Sequence, residues 1–190
     1  MAGLAPLPDI EALNDLPSDR FAEAVGPLFE RAPRFLARLA ETRPFGSWNE
    51  LFERALDIAL AMPEADQLEL IDSHPRLGAD PTIVRARSEL SYREQGYDPP
   101  TESDGADDDR VISSGSADVD AELARLNDAY ERRLGFRFVV FVAGRSRAEL
   151  VPIMRAALDA DREAEIPRAL ADIVAIARDR GAKLALPRMD

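Results

Sequence analysis

Only one stretch of this chain, FRFVVFVAG at residues 136–144, reads as extended and buried, with aromatic and β-branched residues bounded by Gly135 and Gly144. A lone strand has no neighbour with which to exchange backbone hydrogen bonds, so it cannot build a sheet, and the rest of the chain must bury its apolar surface as helices. The remaining pattern agrees. In DRFAEAVGPLFERA, Phe21, Val25, Leu28 and Phe29 recur at helical spacing, and APRFLARLAETR repeats this with Phe35, Leu36 and Leu39. After Pro44 and Gly46, Ser47 with Glu50 three residues on forms a capping-box signature for a helix that buries Leu51, Ala55, Ile58 and Met62 and ends before Pro63. A short helix with Leu68, Leu70 and Ile71 then stops at the His74–Pro75 boundary, because a residue before proline is crowded out of the helical region.

Residues 83–95 are expected to form one further helix, and the Pro-, Gly-, Ser- and Asp-rich run 98–118 a flexible acidic loop. Helical pattern resumes with Leu123, Leu126, Tyr130 and Leu134, and Gly135 supplies the stop. SRAELVPIMRAALDA, interrupted by Pro152, and EIPRALADIVAIARDRGAKLAL close the chain as two helices. The expected fold is all-α: residues 1–190 as a single-domain multi-helix bundle with one short extended segment near 136–143. A chain of 190 residues is long enough to bury a core without metal or disulfide support.

Composition narrows the function classes. A formal charge of -12 disfavours nucleic acid and anionic lipid as partners over most of the surface. With no cysteine, thiolate catalysis, thiolate metal ligands and disulfides are excluded, and a reducing cytoplasm is the expected location. No apolar run approaches the roughly 18–20 residues that a membrane helix needs, and Met1–Pro8 lacks signal-peptide character. One histidine and no H-x-x-x-H or EF-hand spacing make a metal site poor, and neither glycine-rich phosphate-loop pattern occurs. A cofactor-free reaction, or none, is left.

The single histidine, His74, sits in HPRLG at a helix stop. In SYREQ, Ser91, Glu94 and Gln95 fall at i, i+3 and i+4 and share one helical face, a wall of hydroxyl, carboxylate and amide. Spacing alone leaves open that His74 is a satisfied structural histidine and SYREQ a solvated face. The segment 136–144 could be plain core, although backbone groups without a strand partner could hold a polar ligand. Arg178 and Arg180 could be helix-end charges; Arg180, four residues after Ile176, also reaches the edge of a buried stripe.

Taken together these pieces resemble the 2-oxo-4-hydroxy-4-carboxy-5-ureidoimidazoline (OHCU) decarboxylases, which finish urate breakdown to (S)-allantoin. The resemblance extends over nearly the whole chain: LNDLP, FE and AP at 29–33, and RPFGS at 43–47, then HPRLG, SYREQ, LNDAYERRLGFRFVVFVAG and EIPRALADIVAIARDR in the right order with fitting gaps. It implies an all-helical, homodimeric, cofactor-free lyase acting on a small ureidoimidazoline. His74 matches the family's catalytic histidine, with Pro75 beside it. Glu94 matches the carboxylate that works with it, within a SYREQ wall of Ser91, Tyr92, Arg93 and Gln95. Phe138, Val139, Val140, Phe141 and Val142 match the extended segment whose backbone binds substrate, and Arg180 matches the arginine that faces it. The chain departs from the family at Arg137, where a proline is usual, at Ala156 and Ala157, where paired arginines are common, and in the 98–118 loop. Two rivals remain beside the decarboxylase: a paralogue acting on another small ureido or imidazole compound, which Arg137 would favour, and a non-catalytic helical interaction module.

Overall fold

The computed structural model describes residues 6–97 and 109–185, and every regular element among them is helical. Backbone packing divides the chain into two compact units, residues 1–73 with 166–190, and residues 74–165. The first unit contains α1 (Ile10–Asn14), α2 (Ser18–Val25), a 3-10 turn (Gly26–Phe29), α3 (Pro33–Glu41), α4 (Trp48–Ala61) and α5 (Glu64–Ser73). The second contains α6 (Pro81–Arg87), α7 (Glu89–Glu94), α8 (Asp109–Leu134) and α9 (Arg147–Ala157); α10 (Arg162–Ala185) begins in it and runs on through the first.

Within the first unit, α3 packs on α2, α4 and α5. The apolar stripes are where helical spacing puts them: Phe21, Val25, Leu28, Phe29, Phe35, Leu36 and Leu39 are all buried, each large side chain contributing about 1.5–3 kcal/mol. Phe29 and Phe35 meet with ring centroids 4.9 Å apart. On α4 the stripe is wider than expected, since Phe52 and Ala59 are buried with Leu51 and Ala55 while Ile58 is half-exposed. The Ser47 cap is present, its hydroxyl accepting from Glu50 N at 3.1 Å. The reciprocal bond of the expected capping box is displaced, however: Glu50 Oε2 accepts from Gly46 N at 2.7 Å, so the carboxylate ties down the turn before the cap. A full capping box forms at Ser146 and Glu149, which start α9.

In the second unit α8 packs on α9 and α6 on α7. Leu123, Leu126, Tyr130 and Leu134 of α8 are buried, and Gly135, at φ +81°, closes the helix with its amide donating to Glu131 O at 2.9 Å. Two expectations are corrected here. The single helix over 83–95 is two helices, because Ser88 is extended (φ -152°, ψ 110°) and its hydroxyl caps the second by accepting from Ser91 N at 3.1 Å. An apolar periodicity that runs through a serine does not reveal that the serine has left the helix. The loop expected over 98–118 ends sooner, since α8 starts at Asp109, with 98–108 lying outside the described residues. Once the packed turns from Leu123 onward are formed, each further residue adds a hydrogen bond without a new nucleation cost, so weak helix formers can extend the helix. The segment 136–142 has no regular secondary structure, and no strand occurs among the described residues. No helix among them is long and apolar enough to cross a membrane.

Several carboxylates are held below their ordinary range by local partners: Asp66 by hydrogen bonds from Arg38, Asp80 by those from Thr82, Glu122 by Arg155 and Glu149 by Ser146. A carboxylate with a lower folded than unfolded pKa stabilises the fold above its unfolded value and loses that contribution as pH falls through the folded one. With ordinary values of 3.8 for Asp and 4.5 for Glu, the melting temperature is expected to hold steady from neutrality down to about pH 5 and to fall below about pH 4. Thermal melts over that range check this, and the loss assigned to these solvent-screened groups is small.

Candidate active site

His74 directly follows the last residue of α5 and is 3% exposed, with its Nε2 shielded from solvent. The loop that carries it has no helical ladder, so its backbone groups need other partners. They find them in side chains. Arg137 Nη1 donates to His74 O at 2.8 Å. Gln95 spans the loop, its Nε2 donating to Arg76 O at 3.3 Å and its Oε1 accepting from Gly78 N at 2.9 Å. Asn127 Nδ2 donates to Leu77 O at 2.9 Å and to Leu123 O at 2.8 Å, and Tyr97 Oη donates to Ala79 O at 2.7 Å. The Arg76 guanidinium forks onto the Glu131 carboxylate and reaches Asp128 at 3.0 Å, and these pairs raise its already high pKa. HPRLG is therefore a loop by dihedral angles but a fixed one by bonding, the condition for aiming a reactive side chain.

Gly78 is part of that fixation. Its φ is +72°, and a Cβ there would stand 2.8 Å from Leu123 Cδ1. Gly78→Ala combines left-handed strain with a clash in the core and is expected to cost roughly 1–3 kcal/mol, measurable as a lower urea midpoint at unchanged m-value.

The SYREQ residues divide by exposure. Ser91 and Gln95 are buried at 4% and 8%, and Glu94 is half-buried, so the face drawn from i, i+3, i+4 spacing is turned inward. Gln95, expected as part of a substrate wall, uses both ends of its amide to hold HPRLG. Arg93 lies on the outer side, exposed and paired with Glu89 at 3.2 Å. Tyr92 is half-buried; its hydroxyl donates to Tyr97 O at 2.7 Å and its ring packs on Tyr97.

The extended segment starts in the core and ends half-exposed. Phe138 and Val139 are buried, whereas Val140, Phe141 and Val142 are half-buried. Tyr130 fixes its start, meeting Phe136 and Phe138 edge-on at 5.6 and 5.2 Å, and is itself anchored by donating to Glu165 at 2.6 Å. Its far end is held by Arg145, which donates to Val142 O at 2.9 Å and to Phe141 O. Those two carbonyls are thereby engaged within the protein.

Arg180 belongs to the first unit, where it is 1% exposed. Nη1 donates to Pro27 O at 3.0 Å and Leu28 O at 3.3 Å, and Nη2 pairs with Glu30 Oε1 at 2.7 Å. The arginine thus locks the 3-10 turn and the left-handed pair Glu30 and Arg31 that follows it. Sequence reasoning missed Glu30, Arg137, Arg145 and Asn127 as members of this framework. Asn127 carried a readable signal, a polar residue beside Leu126 in the stripe Leu123–Leu126–Tyr130; Arg137 stood out only as a departure from the resemblance, and Glu30 and Arg145 had no signal.

The model of one protein family, described as OHCU decarboxylase, matches residues 14–182. The chain belongs to the OHCU decarboxylase family. As a family member it is 30% identical over 171 residues to the uric acid degradation bifunctional protein PucL of Bacillus subtilis, covering 90% of this chain but only 31% of that protein. Against the 2-oxo-4-hydroxy-4-carboxy-5-ureidoimidazoline decarboxylase of Halalkalicoccus jeotgali it is 28% identical over 181 residues, 94% of this chain and 93% of the relative. An OHCU decarboxylase crystallised in the presence of (S)-allantoin superposes with a TM-score of 0.59 at 21% identity, over 81% of this chain and 92% of the other. An (S)-allantoin synthase superposes at 0.63 and 17% identity, over 93% and 54%. These likenesses establish the OHCU decarboxylase fold.

Proposed function

We propose that this chain decarboxylates 2-oxo-4-hydroxy-4-carboxy-5-ureidoimidazoline to (S)-allantoin, the last step of urate degradation, with residues 1–190 as a single OHCU decarboxylase-like domain. The observation that carries the reading is His74: the chain's one histidine is buried on a non-helical loop whose backbone is held by Arg137, Gln95, Asn127 and Tyr97. Family membership supplies the substrate class.

The substrate carries a hydroxyl and a carboxylate on one ring carbon, next to an imine-type carbon. Cleavage of the carbon–carboxylate bond releases carbon dioxide and leaves the electron pair in the ring, where the imine accepts it. The ring nitrogen that received the electron pair takes up one proton, a second is delivered to one face of the ureido-bearing carbon, and the hydroxyl proton is lost as the carbonyl forms, a net uptake of one proton that completes a single enantiomer. Because the electron acceptor lies within the substrate, the step needs no cofactor. An imidazole can both accept and give up a proton, which suits either transfer, and this is the role of His74, with Glu94 as the carboxylate that works with it. Ser91, Pro75 and the segment Phe138–Val142 hold the ureido and ring atoms and fix the face that is protonated. Arg180, matching the family's substrate-facing arginine, presents a guanidinium whose orientation Glu30 sets. Following the resemblance, the protein works as a homodimer in the cytoplasm, which sedimentation and localisation of the tagged chain would check.

The test is to generate the unstable intermediate in place from urate with a uricase and a hydroxyisourate hydrolase, add this protein, and follow circular dichroism. Rapid build-up of optically active allantoin is expected; a trace identical to spontaneous decay would overturn the reading.

A further inference from the structure

We propose that Arg137 is a positioning residue for His74, fixing by a side-chain bond the backbone from which the imidazole projects. The inference rests on His74 being the catalytic group. By the resemblance drawn from the sequence, Arg137 stands at a position of proline, a residue with neither an amide hydrogen nor a side-chain donor. Here the position is occupied by a half-buried guanidinium whose Nη1 donates to His74 O at 2.8 Å, across 63 residues of sequence.

The base of this side chain is fixed on both sides. Phe136 and Phe138 are buried at 2% and 1% and both rings are pinned edge-on by Tyr130, while Gly135 at φ +81° sets the turn out of α8. A side chain rooted between two fixed neighbours reaches its acceptor with little rotamer freedom left to lose. The acceptor is the carbonyl of the histidine itself, just before the proline that already restricts its ψ. The bond therefore sets the peptide plane from which the imidazole projects, and it also ties the extended segment to the histidine loop, so that two parts of the proposed site move together. A charge-assisted bond of this kind is stronger than a neutral one, and misplacing a catalytic group by about 1 Å can cost about a hundredfold in rate.

The experiment compares wild type, Arg137→Met and Arg137→Lys in the coupled circular-dichroism assay under saturating and limiting substrate generation. Arg137→Met preserves the apolar stem and removes the donor; it is expected to lower kcat about tenfold or more with KM changed less than twofold. Arg137→Lys, which can still donate to His74 O, is expected to recover most of that loss. Thermal melts of both variants identify any that has unfolded, and Arg137→Leu, which also has no donor, then stands in for Arg137→Met. Wild-type kcat in Arg137→Met would overturn the proposal, as would a Lys variant no better than Met. A raised KM at unchanged kcat would overturn it too, by placing Arg137 on the substrate. Inactive wild type would instead overturn the decarboxylase reading, and an active His74→Ala would overturn the role of His74.

Discussion

Replacing His74 with alanine is expected to return the decay of the ureidoimidazoline to its spontaneous rate, with racemic product, while far-UV circular dichroism stays that of the wild type. The size of the effect follows from what a positioned acid or base contributes, about 10²–10⁴-fold. No second imidazole exists in the chain to substitute for it. The loop should survive the change because its restraints act on backbone atoms: Arg137 bonds His74 O, Gln95 bonds Arg76 O and Gly78 N, and Asn127 bonds Leu77 O. None of these requires the imidazole ring. His74→Gln, which fills more of the buried volume, is expected to be equally inactive and guards against a packing artefact of the alanine. Full activity in either variant would remove His74 from the chemistry and leave the rival readings, a paralogue or an interaction module, in its place.

The same contrast between side-chain type and long-range bonding explains what could be read from the sequence. Helix periodicity is local, so Phe21, Val25, Leu28 and Phe29 could be assigned to one buried stripe from their spacing alone, and all four are buried. The absence of a second strand-like segment was enough for an all-α fold, and the described residues hold helices only. Ser88 shows the limit of periodicity: the pattern continues across it, yet its hydroxyl caps a new helix. Gln95 shows a different limit. That it shares a face with Ser91 and Glu94 was legible, but that this face turns inward and that its amide would grip HPRLG were not, since the bonds join residues 17 and 19 positions apart through a loop path that no spacing rule encodes. Arg180 combines both cases. Its position four residues after Ile176 put it at the edge of the buried stripe, where it is found at 1% exposure, whereas Glu30, 150 residues away, could not be named as its partner.

That pair sets up the largest expected change in stability. The side chains of Arg180 and Glu30 are 1% and 5% exposed and 2.7 Å apart. A buried ion pair adds little over an apolar pair of the same shape, but removing one member strands the other charge without water, at a cost of about 3–5 kcal/mol. Glu30→Ala is therefore expected to lower the melting temperature by roughly 6–20 °C for a chain of this size. The carbonyls of Pro27 and Leu28 still accept from Nη1, which keeps Arg180 hydrogen-bonded while it loses the Glu30 carboxylate. Glu30→Gln retains an acceptor and should lose less. The double variant Glu30→Ala with Arg180→Met removes both charges, and it should recover part of the loss, since the coupling between contacting partners is not additive. Differential scanning calorimetry of the three variants decides the matter. A Glu30→Ala melt within 2 °C of wild type, a margin well below the 6 °C floor of the expected range, would mean that the pair is hydrated in solution and that Glu30 does not set the orientation of the Arg180 guanidinium.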